Sequence, residues 1–397
     1  MKKTTIFAML LVLAGSSLLC SKPADVKPQK VYRIVYEVKS DGWYATQAKL
    51  WKKEIEKNPQ NAKAWQNYYN AVRYGRFEET INTKSKQEKL QQIIDDMEKG
   101  IPGTYEYYFL RQWNSGDIAD ISYAKKAYNL DPDRPDVYYN FISHYMINGD
   151  KENAAKFYKK LYQSGDIVPW LLDYNYNTLM SAAENAILLT NGDNDTYPAE
   201  MLQFAKDIRR DVTVLNISMS PVESYLQSKL KPKGIEIDIK ALKQSSKKGN
   251  SNGFSKSVFI RELCREISEK YPDYPIYFAL TVYENHYAPL KKDLYNVGLA
   301  FQYSTNRIDN IALLKKNIGE KFRLDYINNE WYLEDAPSMT FMPRMNLNYL
   351  SGVMMLAEHY KMSGEIDDAR NLKELALVIA RQSGNEKVIA KIEEKDI

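Results

Sequence analysis

Hydrophobic and polar positions follow two different periods along this chain, and the places where the period changes divide it. In "WKKEIEKNPQNAKAWQNYYNAVRYG" and "AKKAYNLDPDRPDVYYNFISHYMINGDKENAAKFYKKL" apolar and aromatic residues recur every three to four positions, as on amphipathic helices that bury one face. Trp65 follows Pro59 by six residues and Tyr138 follows Pro132 by six, so the two stretches share a phase. Near the end, "LAEHYKMSGEIDDARNLKELALVIA" repeats the scheme. Between these ends the rhythm changes. "AILLTN", "DVTVLNIS" and "PIYFALTV" are short β-branched and aliphatic runs, and helix-like "PAEMLQFAKDIRR", "PVESYLQSKL" and "SVFIRELCREISEK" lie beside them. Buried strands alternating with helices predict a small parallel α/β layer.

The helical stretches resemble tetratricopeptide repeats. Phe141, Tyr145, Gly149, Ala154 and Tyr158, and again Leu356, Ala357, Tyr360, Gly364, Ala369 and Ala376, stand where such a repeat places its packing residues. Small residues let paired helices approach, aromatics fill the gaps, glycine permits the turn and proline stops the second helix. The expected fold class is mainly α, with tetratricopeptide-like repeats flanking a small parallel-sheet, Rossmann-like layer. Repeats of this kind generally scaffold other proteins. The 31 tyrosines fall mostly at packing positions, which favours core over sugar stacking.

The chain begins "MKKTTIFAMLLVLAGSSLLCSKPAD": two lysines, an apolar run from Ile6 to Ala14, small residues, then Cys20. That is a secretory signal, too short for a membrane span. Cys20 resembles the acylated cysteine of a bacterial lipoprotein, although Leu19 stands where a small residue is usual. The division expected is a signal peptide (1–19), a tether and extended segment (20–45), helical repeats (46–168), an α/β unit (169–305) and a C-terminal helical region with a further repeat (306–397). Within the α/β unit, residues 229–257 hold eight lysines and two acids and read as a mobile, solvated excursion.

Composition removes several classes of function. Net charge is +4 and falls to +2 once Lys2 and Lys3 leave with the signal, which gives no case for nucleic acid. The two cysteines are Cys20 and Cys264; a lipidated Cys20 leaves no internal disulfide, and Cys264 lies on an apolar helix face as an inert thiol. His144, His286 and His359 lie far apart in no metal-binding spacing, so neither a metal nor a cofactor is expected. P-loop and G-x-G-x-x-G motifs are missing from the sequence. Glycosidase-type carboxylate pairs depend on spatial separation, which a sequence does not set.

One stretch breaks the texture. In "NAILLTNGDNDTYP" a strand-like run ends in Gly192-Asp193-Asn194-Asp195-Thr196, and a helix is expected to begin near Pro198. The acidic loop should then sit at the carboxyl end of a parallel strand, where open α/β sheets usually bind ligands. Asp193, Asn194, Asp195 and Thr196 are the candidate ligand-binding residues, able to orient hydroxyls or hold a hard cation; the same side chains also suit a turn and a helix cap.

The run "NAILLTNGDNDTYP", then "RRDVTVLNIS", "YPIYFALTV" and "VGLAFQYS", with "TFMPRMNLNYLSGVMMLAEHYKMSGEIDDA", resembles the soluble C-terminal region of bacterial multi-span membrane proteins related to protein O-mannosyltransferases. The resemblance covers roughly residues 170–305 and 338–383, and "GDNDTYP" is its most specific part. Departures are Ala199-Glu200-Met201, where bulky residues are usual, and Val222-Glu223-Ser224. The membrane part that would hold transferase chemistry is missing, so the resemblance implies an accessory-like region, not glycosyl transfer. The expectation is an exported protein, lipid-anchored at the cell envelope, that scaffolds other envelope proteins and is not an enzyme. The alternative is an enzyme or sugar-binding accessory of envelope glycan or glycoprotein assembly that uses the GDNDT loop.

Overall fold

The computed structural model describes residues 27–76, 83–247, 253–328 and 341–397; Cys20 and the signal lie outside them. An extended segment from residue 27 leads into helices α1 (Asp41–Lys57), α2 (Ala62–Tyr74), α3 (Thr83–Gly100), α4 (Tyr105–Ser115), α5 (Ser122–Leu130), α6 (Tyr138–Ile147), α7 (Lys151–Ser164) and α8 (Pro169–Met180). Neighbours pack as hairpins, α1 with α2, α4 with α5 and α6 with α7. None of the described helices is long and apolar enough to cross a membrane.

The six-residue spacing from proline to aromatic has a physical cause. The Trp65 indole donates to the Pro59 carbonyl at 2.9 Å, and the Tyr138 hydroxyl donates to the Pro132 carbonyl at 2.7 Å. Each aromatic thus buries its ring in the hairpin and satisfies a carbonyl of the turn before it. Gly149 takes φ +72° between α6 and α7, and Ala154 and Tyr158 are fully buried behind it. Phe141 and Phe157 stack across the hairpin at 4.3 Å.

The central part follows as β1 (Ile187–Thr190), α9 (Asp193–Lys206), β2 (Thr213–Asn216), α10 (Glu223–Leu230), α11 (Ile239–Ser245), α12 (Lys256–Lys270), β3 (Ile276–Ala279), α13 (Glu284–Tyr287), β4 (Leu294–Asn296) and β5 (Ala300–Tyr303). The sheet order is β2-β1-β3-β5-β4. Strands β2, β1 and β3 are parallel, with Leu188 opposite Val214 and Tyr277, whereas β5 runs antiparallel to both β3 and β4. The expected parallel layer is therefore three strands of a mixed five-stranded sheet. The reason lies in "NVGLAF": only Val297-Gly298-Leu299 joins β4 to β5, too short for a crossover, so the chain must turn back on itself. Gly298, at φ +130°, makes that turn where a Cβ would lie 2.6 Å from the Phe322 ring.

A second expectation is corrected at residues 229–247. They are not a solvated excursion: Leu230, Ile235, Ile239 and Leu242 are buried in the core around the sheet, and α11 is capped by Asp238. Apolar residues spaced along the lysine-rich run supply the buried face, while Lys231, Lys240 and Lys247 are exposed. Only residues 248–252 of that stretch lie outside the description, and the Ser255 N–H returns to the Ser246 carbonyl at 3.0 Å.

The chain ends in α14 (Asn310–Lys316), a π-helical turn at Asn317–Lys321, α15 (Asp325–Asn328), α16 (Met342–Asn346), α17 (Tyr349–Ser363), α18 (Ile366–Ser383) and α19 (Glu386–Glu393). Helices α17 and α18 form another hairpin, with Leu356, Ala357, Ala369 and Ala376 buried between them. One hydrophobic core runs from Val31 through α8 to these last helices, and a second surrounds the sheet. The protein is thus mostly helical, with a small mixed five-stranded sheet.

Candidate functional site

The first element of the site is the extended segment. Its residues 29 and 31 both turn their main chain toward the first hairpin. The Gln29 N–H donates to Gln47 Oε1 at 2.7 Å, and Trp51 Nε1 donates to the Gln29 carbonyl at 2.7 Å. The Val31 N–H donates to Asn67 Oδ1 at 2.6 Å, and Asn70 Nδ2 donates to the Val31 carbonyl at 2.9 Å. Gln47 and Trp51 are one turn apart on α1, and Asn67 and Asn70 one turn apart on α2, so each helix offers a donor and an acceptor. Asn67 is held in register by its own bond to the Lys63 carbonyl. All four side chains are buried. The first hairpin therefore grips a polypeptide through backbone atoms, as a sheet neighbour would.

After Val31 the segment crosses toward α9. Arg33 lies with its guanidinium 4.5 Å from the Tyr139 ring centre, 5.3 Å from Tyr36 and 5.4 Å from Trp113. Burial works against its charge, but Tyr36, Tyr139, Asp136 and Asp166 outweigh burial and keep it protonated. The Tyr36 and Tyr139 hydroxyls both donate to Asp166 Oδ2, at 2.5 and 2.6 Å. Burial pushes both phenols far above their ordinary range, so both remain donors.

The Gly192–Thr196 stretch is the other wall. It is not a loop before a helix at Pro198. Helix α9 starts at Asp193, and the four candidate side chains form its first turn. Asp195 is buried, and its carboxylate accepts from the Asn191 N–H at 2.6 Å, the Gly192 N–H at 2.7 Å and the Thr281 hydroxyl. Burial raises its carboxyl above the usual range, and these three donors act in the opposite sense. Thr196 shares a hydrogen bond with Thr190 at 2.7 Å and accepts from Asn216 Nδ2 at 3.0 Å. Asp195 and Thr196 thus join the carboxyl ends of β1 and β2 to the residue beyond β3. The place where an open α/β sheet would receive a ligand is filled by the chain's own side chains.

Asp193 and Asn194 point to a different task. Asn194 Nδ2 donates to the Val35 carbonyl at 3.3 Å, and Asp193 is exposed to a cleft in which Arg33 is the charge acting on it. Protein crowded around the Asp193 carboxyl raises it above the ordinary carboxylate range, and Arg33 partly offsets this. Among the described residues no donor bonds the Asp193 carboxylate. The four candidates therefore divide, two holding the sheet ends and two facing the extended segment.

Two hollows flank that segment. One, about 710 Å³, is lined on one side by Lys30–Arg33 and on the other by Lys63, Gln66, Phe109, Trp113 and Arg134. The other, about 220 Å³, lies between Arg33, Trp113, Tyr139, Ser143, Asp193 and Tyr197. Gln47, Asn67, Asn70, Arg33 and Asp166 were not among the sequence candidates. A signal for two of them exists in "AWQNYYNAV", where asparagines three apart sit among residues of the buried face. No group of three or more His, Cys, Asp or Glu able to hold a metal occurs among the described residues. His144 spends its Nδ1 on the Ile118 carbonyl at 2.8 Å, a packing role.

A family model described as TMEM260-associated domain 2 matches residues 171–255, the stretch from α8 through α11. Among solved structures, the crystal structure of the yeast Tom70 is similar over 89% of this chain and 58% of that chain, at 13% identity and a TM-score of 0.26. The chain thus spans little more than half the length of that neighbour. Among curated proteins, none matches.

Proposed function

We propose that this chain is an exported, lipid-anchored protein of the cell envelope that works as a non-catalytic scaffold, holding partner proteins on its helical repeats. The observation that carries the reading is the grip on residues 29–31. Four buried polar side chains on one helical hairpin are spent on main-chain atoms of an extended polypeptide. Such a surface reads backbone, whatever the side chains, and that suits protein binding rather than chemistry. Anchoring rests on the amino-terminal signal and Cys20, whose acyl chains would contribute about 0.8 kcal/mol per buried CH₂.

A photo-crosslinking residue placed at Lys63 in intact cells tests the scaffold, with Lys52 on the outer side of α1 as control. A discrete set of adducts at Lys63 and none at Lys52 is expected; equal or no adducts at both positions would count against it. Cys20→Ala should move the exported protein from membranes to the soluble fraction, and unchanged membrane association would remove the anchor.

A second reading, a sugar-binding accessory of envelope glycoprotein assembly, is favoured by the match over residues 171–255 and by the smaller hollow. Tyr139, Tyr197 and Trp113 there stand near the Asp193 carboxylate and the Ser143 hydroxyl, a mix suited to a hydroxylated ligand. Asp193→Asn should abolish saccharide binding in calorimetry without lowering Tm if this reading holds.

A further inference from the structure

Residues 29 and 31 turn their N–H and C=O groups to the hairpin, and in an extended chain residues 30 and 32 turn theirs the opposite way. The larger hollow runs beside the segment, lined by Lys30, Val31, Tyr32 and Arg33 and, on α2, by Lys63, Gln66, Asn67 and Asn70. Among the described residues, nothing bonds the main-chain groups of Lys30 or Tyr32. The segment is therefore extended backbone with one edge satisfied by helix side chains and the other unbonded, beside a cleft of about 710 Å³. Two further groups in the cleft lack partners. Asn70 Oδ1 is a buried acceptor without a donor, although its Nδ2 holds Val31, and Arg33 Nε is a buried donor without an acceptor.

Charge selects the occupant. Arg134 is paired with Glu106 and Asp136, and Asp166 receives two tyrosine hydroxyls. Lys30, its ammonium 4.5 Å over the Tyr32 ring, and Lys63 have no carboxylate partner among the described residues. The cleft thus offers an open strand edge flanked by two uncompensated cations.

We propose that this cleft binds an extended, acidic segment of a partner protein, which adds as a second strand along Lys30–Tyr32 and places its carboxylates against Lys30 and Lys63. The proposal rests on the scaffold reading and names the site and the class of ligand within it. The partner's backbone would take the open N–H and C=O groups of Lys30 and Tyr32, and its acidic side chains would follow at every second residue.

The probe is a fluorescein-labelled octapeptide of alternating valine and glutamate, titrated against the purified full chain by fluorescence anisotropy. Saturable binding is expected, about tenfold weaker for the valine–lysine peptide and for a version N-methylated at alternate residues. Lys63→Glu should weaken it about tenfold. Lys30→Gln removes a charge alone, and Lys30→Pro also removes the open N–H, so the second should bind at least about threefold more weakly than the first. An unchanged Tm certifies each variant as folded. No saturable binding up to about 1 mM, equal affinity for the N-methylated peptide, or indifference to Lys63→Glu each overturns the proposal. The scaffold reading fails separately: a discrete set of adducts at Lys63 in cells, with no saturable binding of the acidic peptide, would keep it alive while this site falls.

Discussion

Asp195 and Asp193 are two letters apart and opposite in role. The Asp195 carboxylate accepts from two backbone N–H groups and a hydroxyl, and no neutral isostere reproduces three acceptor contacts. In Asp195→Asn one carboxylate oxygen becomes an NH₂ facing an N–H. The expected loss is about 2 kcal/mol, read by urea unfolding, against under about 0.5 kcal/mol for Asp193→Asn. Equal effects would mean that the carboxylate does not hold the β1–α9 turn. The sequence showed both acids at the right place but not their division, because that depends on Thr281 and Arg33, which are distant along the chain. Cys264 was legible from its apolar face, and it is fully buried, with burial pushing its thiol up from an ordinary 9.0. An unfolded thiol ionises above pH 9 while the folded one stays protonated, so the native state binds the extra proton and stability falls as pH rises. Between pH 9 and 10 the parent should therefore lose up to about 1.4 kcal/mol relative to Cys264→Ala. Ellman's reagent at pH 8 should label Cys264 only after denaturation.

At the scale of the element, α9 shows why a helix boundary can escape local rules. Proline suits a first turn, and that rule places the start near Pro198. The helix instead begins five residues earlier, and Pro198 sits inside it with no N–H for the Asn194 carbonyl. Asn175 on α8 supplies the missing donor, its Nδ2 bonding that carbonyl at 2.9 Å. No local pattern reveals a compensation that comes from another helix. Asn175→Ala should cost about 1–2 kcal/mol in the parent. It should cost about 1 kcal/mol less in a Pro198→Ala background, where the substituted residue has an N–H of its own for that carbonyl, and a double-mutant cycle reads the difference. Additive effects would deny the link. The hairpins were the most legible elements, since Ala154 and Tyr158 need only local helix geometry to meet α6. The lysine-rich run was hidden for the converse reason: Leu230, Ile235, Ile239 and Leu242 acquire a core only once the sheet exists.

At the scale of the whole molecule, the repeats and the sheet are joined through a buried polar triad. Glu200 on α9 accepts from Lys229 Nζ on α10 and from the Tyr158 hydroxyl on α7, and all three side chains are almost wholly buried. The triad ties a repeat helix to a helix on each side of β2 in the sequence. Helix α9 also packs directly on α7 and α8. Removing one member of a buried pair strands the other, which is worse than removing both. Lys229→Met should therefore destabilise by about 3–5 kcal/mol, and the double change Lys229→Met, Glu200→Leu should recover a large part of that loss. Because the triad belongs to both halves, loss of Lys229 should lower one cooperative melting transition followed by circular dichroism. Two separable transitions, with Lys229→Met moving only the one that reports the sheet, would show that the repeats hold their structure independently of it.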